Sequence, residues 1–130
     1  MADATLRPTE VQAYVHDRAQ DGLRGLAVYD GTDLDVRYAR TDLADGVERR
    51  LGAIHESILA ATATPDDRCW GTLGPERASI QIRDEAAVMH LRPTDDAGGQ
   101  RGMLVELDTR VAQSLAEFVA SVQRVAFDEA

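Results

Sequence analysis

The sequence predicts an α+β two-layer domain, an antiparallel sheet of about five strands with helices on one face, in the order α-β-β-α-β-β-β-α. Three observations predict it. Leu43, Val47, Leu51, Ile54 and Ile58 recur at steps of three and four, the spacing of one helix face. Leu34, Val36 and Tyr38 recur at steps of two, as do Ala78, Ile80 and Ile82, and then Ala87, Met89 and Leu91, the spacing of one strand face. Asp30-Gly31 and Asp84-Glu85 fall between such runs as hairpin turns.

Taken in order, Pro8 suits the first turn of a helix, and Thr9 with Gln12 has capping-box spacing. Val11, Tyr14, Val15 and Ala19 give that helix its apolar face, and Gly22 stops it. Leu26 and Val28 alternate with Ala27 and Tyr29, and the strand pairs across Asp30-Gly31 with 34–38. Thr41 or Asp42 caps the second helix, which runs to about Ala61 before Pro65 and Asp66-Asp67 end it. Cys69-Trp70-Gly71-Thr72-Leu73-Gly74 reads as either a short strand or a packed loop. Two strands then flank Asp84-Glu85, and Pro93 closes the second. Residues 94–101 are expected as a loop around Gly98-Gly99, followed by a strand with Met103, Val105 and Leu107. Asp108 or Thr109 caps a last helix whose buried side would carry Val111, Leu115, Phe118, Val119, Val122 and Val125.

At 130 residues and 44 % apolar content, the chain is expected to form a single domain, 1–130, with its own core. No run of about 18 apolar residues is present, as a membrane span would require. The N-terminus lacks the basic start and apolar run of a signal peptide, so a cytoplasmic location is expected. Cys69 is the one cysteine, so no internal disulfide is expected.

Charge is the most unusual property. All 14 basic residues are arginine, against 23 acids, for a net charge of -9. Asparagine is absent too, which a GC-rich genome explains, since lysine and asparagine codons begin with two adenines. Codon bias does not explain the acid excess. In concentrated salt the Debye length falls to about 3 Å, and self-repulsion among carboxylates becomes tolerable. This acidic, lysine-free composition resembles that of haloarchaeal proteins, which implies a saline cytosol and specifies no activity.

The order of elements resembles that of roadblock (dynein light chain) and longin-like domains, from about Thr9 to Ala126. The resemblance lies in element order and carries no functional residue with it.

No motif assigns chemistry. His16, His55 and His90 have no ligand spacing among them, and with one cysteine they read as surface or boundary residues, not a metal site. Ser57, Ser79, Ser114 and Ser121 lack a nucleophile elbow. The glycines of 96–102 lie between strands, with no following lysine to hold phosphate. Asp33/Asp35, Asp66/Asp67, Asp84/Glu85 and Asp95/Asp96 are expected from acid density alone. Arg37, Arg40, Arg49 and Arg50 cluster, but the global charge opposes nucleic-acid binding, and Glu48 and Glu56 lie near enough to pair with them. No cofactor is expected.

Two functional readings stand. One is a non-catalytic interaction or regulatory module, homodimeric because the sheet's second face or edge must be covered, with Tyr29, Val88 and Leu104 on that face. The other is a small-molecule sensor or minor enzyme with a pocket between sheet and helices. Trp70, His90, Tyr38 and Tyr29 are the candidate pocket or interface residues.

Overall fold

The computed structural model describes residues 7–63, 73, 76, 78–92, 101–117 and 125. Helix α1 spans Pro8–Ala19, and a 3-10 turn, Gln20–Gly22, leads into β1 (Leu23–Asp30) and β2 (Asp33–Ala39). A second 3-10 turn, Thr41–Leu43, opens α2 (Ala44–Ala63). Strands β3 (Ala78–Ile82), β4 (Ala86–Leu91) and β5 (Arg101–Asp108) follow, then the 3-10 turn Thr109–Ala112, and helix continues over 113–117. The α+β class and the order of elements are those predicted. Trp70, Cys69, Gly98-Gly99, Phe118, Val119 and Val122 lie outside the described residues.

The sheet has five strands in the order β2-β1-β5-β4-β3, and every pairing is antiparallel. Both central strands read as near-continuous apolar runs because both faces are covered. Leu23, Leu26, Met103, Val105 and Leu107 form one core with Val11 and Val15 of α1. Ala27, Leu104, Val47 and Leu51 form the other, with α2 supplying the last pair. The helices therefore divide between the faces, in contrast to the expectation that one face carries them all. The physical reason is the α2 stripe, which is as apolar as the strand face it covers and is buried there.

A bulge sets the parity of β1. Leu23 pairs with Leu107 and Gly25 with Glu106, so Arg24 is an extra residue against β5. Leu23 and Leu26 consequently share the α1 face, while Arg24 and Gly25 both turn to the α2 face. Gly25 is required there, since a Cβ would collide with Val47 of α2.

Several local expectations shift. Arg7, not a side-chain cap, precedes α1, so Thr9 lies inside the helix. Tyr14 is 59 % exposed, with the Arg18 guanidinium 3.7 Å above its ring, a contact that stabilises the ring in water. Arg101 belongs to β5, not the preceding loop. Leu115 and Val125 are exposed, whereas Val111 packs against the α1-side core.

Candidate functional site

Among the described residues, the polar groups that the fold buries lie on the α2 face, in two adjoining clusters. The first joins Tyr29, His90 and His55, which are 2 %, 9 % and 4 % exposed. Tyr29 is on β1 and pairs with Gly102 of β5; His90 is on β4 and pairs with Leu104 of β5. Tyr29 Oη and His90 Nε2 are 2.6 Å apart, so the ring crosses β5 to reach its partner. Gly102 makes that crossing possible, because a Cβ would sit 2.6 Å from Tyr29 Oη and 2.7 Å from its Cε2.

Burial holds the His90 imidazole below its ordinary pKa, against the pull of Glu76 and with the repulsion of Arg92. The ring is therefore neutral at neutral pH. Its Nδ1 faces Glu76 Oε1 at 3.8 Å, which favours the proton on Nδ1 and leaves Nε2 to accept the Tyr29 hydroxyl. His55 stacks against the Tyr29 ring at 5.0 Å between centroids. Its Nε2–H donates to the Gly31 carbonyl at 2.9 Å, tying α2 to the β1–β2 turn.

The second cluster surrounds Glu106 of β5, 1 % exposed. Arg50 of α2 donates from Nε to Oε1 at 3.0 Å and from Nη2 to Oε2 at 2.7 Å. Arg24 donates from Nε to Oε2 at 2.8 Å, the contact that the β1 bulge aims. Burial pushes the Glu106 carboxyl up, but the Arg50 and Arg24 hydrogen bonds together outweigh it and hold it below the usual glutamate range. Next along β5, Asp108 accepts from Arg24 at 3.2 Å and Arg40 at 3.0 Å. Burial raises its carboxyl as well, and Arg40 with Arg24 bring it below the usual aspartate range. The bridges join α2, β1 and β5 across positions far apart in sequence.

Of the four candidate residues, the structure brings Tyr29 and His90 into direct contact. Tyr38 lies on the opposite face, where it packs against His16 with ring centroids 4.9 Å apart. Trp70 is outside the described residues. His90 and His55 are buried, not surface or boundary groups, because α2 covers the face that carries them. Val88 is half-buried, and Tyr29 and Leu104 are fully covered. The arginine partners differ from those expected, since Arg40 and Arg50 reach across to β5 instead of pairing with Glu48 and Glu56.

Sequence reasoning missed Glu106. Its one signal was an acid at the centre of Met-Leu-Val-Glu-Leu, where a strand covered on both faces leaves no solvated position.

As chemistry, the second cluster is a charge-balanced clamp, and the first is a filled hydrogen-bonded joint. Among the described residues, no group of three or more His, Cys, Asp or Glu is placed to hold a metal ion. An open depression of about 320 Å³ lies at the α2 N-terminus, lined by Thr41–Gly46 and Arg50, and Asp42 and Asp45 give it an acidic wall.

No curated protein matches the chain. The family model for DUF7522, a domain of unknown function, matches residues 9–127, from the first turn of α1 to beyond the described part of the last helix. The chain therefore belongs to the DUF7522 family.

Proposed function

We propose that the chain is a non-catalytic interaction or regulatory module of a halophilic cytosol, working as a homodimer paired through β3. One observation carries this reading: the two sheet edges are unlike. Strand β2 carries Asp33, Asp35 and Arg37, and its register against β1 slips between Leu26 and Ala27. Charges and irregularities of this kind guard an edge against pairing. Strand β3, Ala78–Ile82, holds no charge, in a chain with 14 arginines and 23 acids.

Arg83 N–H donates to the Ala86 carbonyl at 2.9 Å, and the alternation from that pair turns the Ile80 and Ile82 N–H groups away from β4. A twofold antiparallel pairing about Ile80 would satisfy them. It sets Ile80 opposite its own copy and Ser79 opposite Gln81, so that no charge faces a charge within Ala78–Ile82. Molar salt screens the repulsion between chains of charge -9 and leaves main-chain hydrogen bonds and apolar contact to drive association.

The roadblock-like order of elements supports an interaction role by analogy of fold. A saline cytosol is supported by the acid excess, and no helix among the described residues is long and apolar enough to cross a membrane. The experiment is sedimentation in molar KCl. The wild type is expected at about twice the 14.2 kDa chain mass, and a variant with Ser79→Glu and Gln81→Glu at one chain mass. A folded wild type that sediments as a monomer there sinks the proposal.

A further inference from the structure

We propose that the Tyr29–His90 joint is an acid-released latch that holds the β3–β4 hairpin, and with it the β3 docking edge, on the sheet. The regulatory half of this inference rests on β3 being the docking edge; the latch itself does not.

Among the described residues, strand β3 pairs with β4 alone, and β4 is joined to the rest of the sheet along β5. The β4–β5 ladder is therefore the seam along which the hairpin would peel. The Tyr29 side chain spans that seam, rooted in β1 on one side of β5 and bonded to His90 of β4 on the other. Peeling the hairpin breaks the 2.6 Å hydrogen bond and brings His90 into water.

The charged and titratable groups around His90 define how acid acts on it. From β1 comes Tyr29, and from α2 comes His55, across the Tyr29 ring. Glu76, two residues before β3, faces Nδ1, and Arg92 follows on the end of its own strand. Ser79 of β3 and Leu104 of β5 stand opposite and are uncharged. Glu106, the next acid on that face of β5, is already occupied by Arg24 and Arg50. Glu76 is half in water and does not offset the burial of the ring.

The sign follows from linkage. Closed, the imidazole takes a proton less readily than its ordinary value of 6.5; peeled, it titrates at about that ordinary value. Protons bind the peeled state better, so falling pH favours it. Protonation also turns Nε2 from acceptor into donor, so the Tyr29 hydroxyl loses the acceptor it used. The opening equilibrium should rise as the pH falls below 6.5, by at most tenfold per pH unit, levelling off at the midpoint of the closed form.

Hydrogen exchange in molar KCl, corrected for intrinsic rates, tests this between about pH 7.5 and pH 5. Protection in β3 and β4 should fall with that slope while β1 and β2 keep theirs. His90→Gln, whose amide oxygen can accept the Tyr29 hydroxyl but does not titrate, should show no slope. Uniform loss across the sheet, or an equal slope in His90→Gln, overturns the latch. If that variant fails to fold, a wild-type His90 ring titration with a midpoint at or above 6.5 overturns it instead. Sedimentation of the same samples separates the two ideas. A monomer at the higher pH removes the docking role, and the exchange slope still decides the latch.

Discussion

Tyr29 and His90 belong to strands that are not neighbours, yet their polar atoms lie 2.6 Å apart because Gly102 of the intervening strand leaves room for the tyrosine ring. A glycine in a strand interior normally weakens it. Here the ring of its cross-strand partner fills the gap and carries a hydrogen bond over it.

Removing that bond should be measurable. Tyr29→Phe leaves the ring in place and strands the His90 nitrogen in a buried site, with an expected loss of about 1–3 kcal/mol. Urea unfolding in molar KCl reads it, and a variant as stable as the wild type would show the hydroxyl to be dispensable.

Two glycine substitutions should move stability in opposite directions. At Gly102 a Cβ would meet Tyr29 Oη at 2.6 Å and the Leu91 carbonyl at 2.8 Å, and backbone cannot give way cheaply. Gly102→Ala should therefore cost about 1–3 kcal/mol. A Cβ at Gly52 in α2 meets nothing within 4 Å, so Gly52→Ala should add about 0.5–1 kcal/mol from helix propensity. The same direction for both in thermal melts would contradict this packing.

Glu106→Gln should cost about 3 kcal/mol, the low end for a broken buried pair, since Arg50 keeps partial access to water. The penalty should persist in molar KCl, because a carboxylate 1 % exposed is little screened. A penalty that vanished with salt would mean that the clamp behaves as a surface ion pair.

Acid should weaken the fold in two stages. His90 is depressed from 6.5, so its contribution is present above that pH and is lost below it. Glu106 and Asp108 are depressed from 4.5 and 3.8, so theirs is lost only below those values. Unfolding midpoints followed against pH should show that His90→Gln removes the first stage and Glu106→Gln the greater part of the second.

Added KCl should raise the wild-type unfolding midpoint, since the net charge of -9 repels itself in dilute buffer. Thermal melts from dilute to molar KCl check it; a flat or falling curve would count against a saline setting.

The elements were legible because each rests on local periodicity. The α2 stripe and the alternation in β2, β3 and β4 are local patterns, and the structure has those elements at those places. Tyr29 and His90 were legible as candidates, but their contact was not. It depends on β5, the last strand in sequence, lying between β1 and β4, and no local pattern states that order. Tyr38 was misplaced in the same group because alternation assigns a residue to one of two faces without saying which helix covers it.

By itself, then, the sequence determined the α+β class, the order of elements and the acidic surface, all of which follow from residue spacing and composition. Only the tertiary structure decided that helices cover both faces, that His90 and Glu106 are buried, and that β3 is the uncharged edge. Those outcomes depend on strand order and on the β1 bulge at Arg24, which are long-range pairings. Their energies come from contacts between residues distant in the chain, where spacing carries no information.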